Sequence, residues 1–219
     1  MNNFYKINAP EVSATHVRET KQPLIDLSLQ YPQLRVDTTR AYAQTYSQSI
    51  TQVRVTVAKK LLAAQAALPA GIYFKIIEGY RPLWVQEKIF NEQLEILAIQ
   101  NPNWSEKKLF EEASVFVAPP KGVPPHSTGG AVDLTLMSAN GEELDMGTRL
   151  NHQYTENCYT NAQGISEEAK NNRALLSKVL EGENFVNYPA EWWHWSYGDQ
   201  YWAFVSKQPC ALYGSLKEA

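Results

Sequence analysis

The chain has 219 residues, enough for one large domain with a sizeable core. Hydrophobic residues at 44% and charged residues at 20% are ordinary for a folded soluble protein. A net charge of −3 with no local Lys/Arg cluster leaves no basic footprint, which excludes nucleic acid as an expected partner.

No stretch approaches the roughly 18 apolar residues of a membrane span. The start, MNNFYKINAPEVSATHV, has neither a basic region nor an apolar run, so a cytoplasmic protein without membrane contact is expected. Cys158 and Cys210 form no metal spacing and read as two reduced thiols.

Residues 1–37 read as loops with a short extended piece at Leu24–Leu27. From Thr38 to Ala67 the steps between Val53, Val57, Leu61, Ala64 and Leu68 predict a helix, which Pro69-Ala70-Gly71 ends. Ile72–Ile77 alternates as a strand, with Tyr73, Lys75 and Ile77 on one face. Gly79 allows a turn, and Pro82 opens a helix to about Gln100. Asn101-Pro102-Asn103 breaks it, and Ser105 caps another helix through about Ser114. A Pro/Gly-rich loop, Pro119–Gly130, feeds the strand Ala131–Met137, and Asn140-Gly141 turns the chain towards an extended segment near Leu144. Ser166 caps a helix to about Leu180, and one or two strands follow through Val205. Helices early and strands late favour an α+β fold: a small central antiparallel sheet flanked by helices, in one domain spanning residues 1–219.

Two segments carry chemistry, PPHSTGGAVDLTL and PAEWWHW, about sixty residues apart. Val132, Leu134 and Leu136 share one strand face, which leaves Asp133 on the other, towards a cleft. His126 stands seven residues earlier in a loop whose Gly129 and Gly130 can fold the imidazole back over Asp133. Glu191 and His194 cannot share a face of a regular strand, so their convergence needs a turn after Pro189. Two imidazoles and a carboxylate suffice for a catalytic Zn²⁺, with Glu191 placed as a base for the water that the metal activates. Neighbouring tryptophans would raise its proton affinity. The bland alternative is two buried histidines near acids. Trp192, Trp193 and Trp195 read as core packing and a pocket wall rather than a stacking platform, and His152 as part of a polar loop.

The pattern His126, Gly129, Ala131, Asp133, followed by Glu191 to His194, resembles the zinc D-alanyl-D-alanine dipeptidases. These include the vancomycin-resistance dipeptidases and are related to the D-Ala-D-Ala carboxypeptidases. GYRP (Gly79–Pro82), AVDLTL (Ala131–Leu136), MGTR (Met146–Arg149), GIS (Gly164–Ser166) and NYPAEWWHW extend the similarity over roughly residues 50–200, with residues 1–50 a poorly matched extension packed on the domain. The resemblance implies one Zn²⁺ per chain held by His126, Asp133 and His194. It implies Glu191 as general base and later proton donor, and Arg81 as the arginine that stabilises the transition state. Taken alone, Arg81 would read as a surface residue at a helix start.

Two positions depart from that family. Pro124 stands where the dipeptidases have a serine, and Leu150-Asn151 where Phe-Asp usually follows MG(S/T)R. The serine and the aspartate belong to the family's substrate-binding surface, and Asn151 accepts a hydrogen bond without supplying charge for a substrate ammonium. Asp145 or Glu143 are the compensating candidates, although both fit a solvated turn. The expected activity is hydrolysis of D-Ala-D-Ala or a closely similar dipeptide, with a small peptide as partner. The alternatives are a D,D-carboxypeptidase trimming peptidoglycan stems, for which Asn151 is no handicap, and a zinc-dependent binding module. Retention of Glu191 argues against the binder. Oligomeric state is not legible.

Overall fold

Residues 4–39, 47–150 and 154–216 are described by the computed structural model. Pro10 opens a single-turn helix, α1 (Pro10–Ser13). Strand β1 (Leu24–Asp26) ends on Asp26, whose carboxylate accepts the Ser28 and Leu29 N–H groups and so starts α2 (Leu27–Gln30). Strand β2 (Arg35–Val36), helix α3 (Ser47–Ile50) and strand β3 (Gln52–Arg54) follow, and helix α4 (Val55–Ala66) begins only there. The single helix expected from Thr38 is therefore corrected. Val53 is not its first apolar step but a strand residue opposite Ile25 in the antiparallel pair β1–β3. Residues 40–46 lie outside the described residues.

Strand β4 (Ile72–Glu78), helices α5 (Leu83–Gln100) and α6 (Glu106–Phe116), strand β5 (Ala131–Ser138) and helix α7 (Glu167–Gly182) fall where local signals put them. Ser105 and Ser166 each accept the N–H three residues on, at Lys108 and Ala169. Leu144 N–H reaches Leu136 carbonyl, so the Gly141 turn does return an extended segment onto β5. Two short strands, β6 (Val186–Asn187) and β7 (His194–Ser196), come last, but the chain does not stay extended to Val205. Asp199 accepts the Trp202 N–H and starts helix α8 (Gln200–Val205).

The fold is α+β around a five-stranded sheet in the order β2-β4-β5-β7-β6. Every neighbour pair is antiparallel except the edge pair β2–β4, which is parallel. Val132, Leu134, Leu136, Phe74 and Ile76 join Val57, Leu61 and Ala64 of α4 and Leu176 and Leu180 of α7 in one core. At about 1.5–3 kcal/mol for each large apolar side chain buried, this layer holds β5 rigidly in place. Trp192, Trp193 and Trp195 belong to the same core, as the packing reading expected. Helices α5 and α6 pair through Phe90, Ala113 and Val117, with Phe90 edge-on to Phe110. Cys158 and Cys210 are both buried and form no disulfide with each other.

Candidate active site

Asp133 sits on β5 directly opposite His194 on β7. Opposed residues of an antiparallel pair share a face, so register alone brings this carboxylate and imidazole together. Their closest atoms, Asp133 Oδ1 and His194 Nδ1, are 3.0 Å apart. His194 enters the strand after the turns that follow Tyr188, where Glu191 N–H reaches Tyr188 carbonyl and His194 N–H reaches Glu191 carbonyl. Asn187 donates its side-chain N–H groups to the carbonyls of both Glu191 and His194 and fixes that irregular step.

His126 lies in a single 3-10 turn, Pro125–Thr128, that ends on Gly129 at φ 71°. The left-handed exit favours glycine, and a Cβ there would stand 2.4 Å from Leu24 Cδ2 and push that side chain aside. Arg54, at the end of β3, donates through Nε to Thr128 carbonyl at 2.7 Å and through its backbone N–H to Gly129 carbonyl at 2.9 Å, pinning the turn. His126 Nε2 then lies 3.2 Å from Asp133 Oδ1 and 3.1 Å from His194 Nδ1.

The outward ring nitrogen of His126 fixes its tautomer. His126 Nδ1 donates to Gly79 carbonyl at 2.8 Å, and His194 Nε2 faces Ser196 Oγ at 3.4 Å. The lone pair left over on His126 Nε2 converges with His194 Nδ1 and Asp133 Oδ1. His126, Asp133 and His194 are also the cluster among the described residues whose ligand atoms suit one metal ion. Ligand atoms about 2.0–2.1 Å from a tetrahedral Zn²⁺ stand about 3.3 Å apart, close to the spacing found. Three ligand atoms so gathered suit a cation, and the hydrogen bond behind His126 is the kind a ligated histidine needs.

Burial pushes the Asp133 carboxyl up, but the imidazoles of His126 and His194 outweigh it and hold the group well below the usual carboxylate range. For His194, burial and the His126 charge prevail and its proton affinity falls; for His126, the Asp133 carboxylate outweighs burial and raises it. Glu191 is driven the other way. Burial first, then the Asp133 charge, raises its carboxyl well above the ordinary value, with Arg81 opposing. One of its oxygens lies 3.9 Å from His194 Nδ1. Within one site, one acid stays ionised and the other readily takes a proton.

Arg81 is clamped rather than loose at a helix start. It donates through Nε and Nη2 to the two oxygens of Glu78, at 2.7 and 2.5 Å, and through Nη1 to Gln86 Oε1 at 2.9 Å. Gln86 in turn donates to Ala118 carbonyl at 2.6 Å. Its backbone is held too, by Arg81 N–H on His126 carbonyl and by Gly79 and Tyr80 N–H on the carbonyls of Ile50 and Gln52. A Cβ at Gly79 would stand 2.3 Å from Gln52 carbonyl oxygen, so no other residue fits there. Sequence reading missed Glu78 and Gln86. Strict alternation from Tyr73 and Lys75 puts Ile77, not Glu78, on the Asp133 face. The register between β4 and β5 shifts between Ile76 and Glu78, and the bulge sets Glu78 opposite Asp133. The available signal was a charged residue ending an apolar strand three positions before an arginine.

These groups line a cavity of about 720 Å³ that runs from His126, Asp133 and His194 past Glu78, Arg81, Glu191 and Tyr154 and along α5 to Gln100. Pro125 lines it, while Pro124 is buried beside it and gives its carbonyl to Ser127 N–H. Asp145 does not line it. Its carboxylate accepts the Gly147 N–H at 2.8 Å and the Ser166 hydroxyl at 2.6 Å, the solvated-turn role. Glu143 pairs with Lys75 at 2.8 Å. Asn151 and His152 lie outside the described residues.

A buried two-histidine, one-carboxylate centre with a protonatable acid at its rim and a clamped arginine defines a metallohydrolase type of site. The model of the D-ala-D-ala dipeptidase family, peptidase M15, matches residues 20–211, and the chain belongs to that family. The match extends further towards the N-terminus than the motifs alone reach. A D-alanyl-D-alanine dipeptidase of Synechocystis sp. is 31% identical over 154 residues, 61% of this chain and 62% of that protein, so the aligned part falls short of two thirds of its length. One of Escherichia coli K12 is 28% identical over 199 residues, 84% of this chain and 93% of that one. Among solved structures, the LdcB LD-carboxypeptidase superposes with a TM-score of 0.48 at 17% identity, covering 95% of this chain and 88% of that one. The vancomycin resistance D,D-pentapeptidase VanY in complex with Zn(II) gives 0.46 at 19%, covering 73% and 82%.

Proposed function

We propose that this chain is a zinc dipeptidase that hydrolyses D-alanyl-D-alanine or a closely similar dipeptide, acting in the cytoplasm. The observation that carries the reading is the convergence of His126 Nε2, Asp133 Oδ1 and His194 Nδ1 beside a carboxyl group, Glu191, that is poised to take a proton. Family membership and the names of the two relatives support the substrate.

Zn²⁺ held by His126, Asp133 and His194 would supply Lewis acidity, polarising the scissile carbonyl and lowering the pKa of water. Glu191 takes the proton of the attacking water on its carboxylate and passes it to the leaving amine nitrogen. Its raised proton affinity would be tempered by the added cation, into the intermediate range such a shuttle requires. Arg81 offsets the negative charge developing on the carbonyl oxygen. Glu78 and Gln86 hold its planar fork in place, so little reorganisation is needed as that charge appears.

One observation favours a second reading, a D,D-carboxypeptidase on longer stems. From Gln86 to Gln100 the cavity follows α5 for about 20 Å at 1.5 Å per residue, whereas an extended dipeptide spans about 7 Å. Incubating the zinc-loaded protein with D-Ala-D-Ala, its N-acetylated form, L-Ala-L-Ala and a pentapeptide stem separates the two. Cleavage of the free dipeptide in preference to the stem supports the dipeptidase. Preference for the stem transfers the assignment to the carboxypeptidase, and no cleavage of any of them refutes both.

A further inference from the structure

Tyr154 is the group in this cavity that the proposed chemistry leaves unused. It lines the same space as Arg81, His126, Asp133, Glu191 and His194. Its ring lies flat on Phe116, with centroids 4.5 Å apart and planes 15° from parallel. That stack anchors Tyr154 to Phe116, the last residue of α6, which lines the cavity together with residues of α5. An offset-stacked pair fixes the plane of the ring and so the line along which the hydroxyl projects. Among the described residues the hydroxyl has no hydrogen-bond partner, although a phenol in a confined polar site normally finds one.

The shared cavity wall puts Tyr154 beside the reacting groups, and its protonation state suits a donor there. Burial raises the phenol well above its ordinary value, the Glu191 carboxylate raises it further, and the Arg81 guanidinium opposes. It therefore stays an O–H donor throughout the working pH range and offers neither a base nor a negative charge. The space that Tyr154 shares with Arg81 and Glu191 is where a carbonyl oxygen would lie while its carbon is attacked by water that Glu191 deprotonates.

On the dipeptidase reading above, we propose that Tyr154 is a catalytic residue whose hydroxyl donates a hydrogen bond to the oxygen of the scissile carbonyl as negative charge develops there, alongside Arg81. The donor is neutral and the acceptor gains charge only in the transition state, so the contact strengthens along the reaction coordinate and serves turnover more than binding.

The test is Tyr154→Phe, which keeps the ring and its stack on Phe116 and removes one hydroxyl. Steady-state kinetics on D-Ala-D-Ala are run beside calorimetric binding of the phosphinate analogue of the same dipeptide, with zinc content and melting temperature measured on both proteins. The expected result is a fall in kcat of about ten- to a hundredfold with KM changed by less than about twofold. The phosphinate, whose charged oxygen imitates the oxyanion, should weaken by a similar factor at unchanged zinc content. Unchanged kcat, or a rise in KM alone with unaltered phosphinate binding, overturns the role and makes Tyr154 a ground-state contact or a wall. A wild-type protein that neither cleaves the dipeptide nor binds the phosphinate overturns the dipeptidase assignment itself, and Tyr154's role with it.

Discussion

Glu78→Gln is the sharpest perturbation of the arginine clamp. The change is nearly isosteric and keeps one acceptor for Arg81. It also turns an NH₂ group towards a guanidinium that can only donate, so one of the two bonds, at 2.7 and 2.5 Å, is lost and a donor faces a donor. Glu78 is 1% exposed, so water cannot replace the missing acceptor. A hydrogen bond to a charged partner contributes about 1.5–3 kcal/mol, and a fork no longer held over the carbonyl oxygen loses a comparable share of transition-state stabilisation. The predicted loss in kcat/KM is therefore about ten- to a hundredfold. Glu78 is not among the metal-binding cluster, so zinc should remain at one per chain. The assay pairs kinetics on D-Ala-D-Ala with metal analysis and thermal melting of the same preparation. Full zinc with kcat/KM within about threefold of wild type would show that Arg81 needs no clamp, or that it does not act in the reaction.

His126→Ala, Asp133→Ala and His194→Ala should each lower bound zinc well below one per chain, and chelation followed by Zn²⁺ should abolish and restore activity; full zinc in any variant removes that residue from the ligand set. Glu191→Gln should keep zinc and fold while losing about 10²–10⁴-fold in kcat, because an amide cannot shuttle a proton, and a loss below about tenfold contradicts the role. Asn151→Asp should raise kcat/KM for the free dipeptide by about ten- to a hundredfold and leave the N-acetylated form unchanged, since a carboxylate gains only from the substrate's ammonium. Equal effects on both substrates would mean that residue 151 does not face the amine.

Local sequence determined most elements. The alternation of Ile72–Ile77, the proline at 82, the serine caps at 105 and 166 and the glycines after His126 act over a few residues, and each does in the structure what its chemistry requires. His126, Asp133, Glu191 and His194 were legible for the same reason, because the strand face and the forced turn before His194 are short-range properties. Two misreadings came from side chains whose preference is set by surroundings. Val53 fits a helical step from Val57, yet pairing with Ile25 across β1–β3 claims it for a strand. Tyr201, Trp202 and Phe204 suit a strand, yet the Asp199 cap draws them into α8. Only the tertiary structure decided the parts of the site that depend on register and distant packing. The bulge before Glu78 reverses which side chain meets Asp133, and the β4–β5 ladder that creates it joins residues far apart in sequence. Gln86 reaches Arg81 because α5 lies against the segment at Ala118, and Tyr154 enters the cavity because α6 offers Phe116 as its stacking surface. Alternation, caps and motifs are properties of neighbouring residues, whereas the clamp on Arg81 and the place of Tyr154 arise from contacts between elements that exist only once the chain has folded.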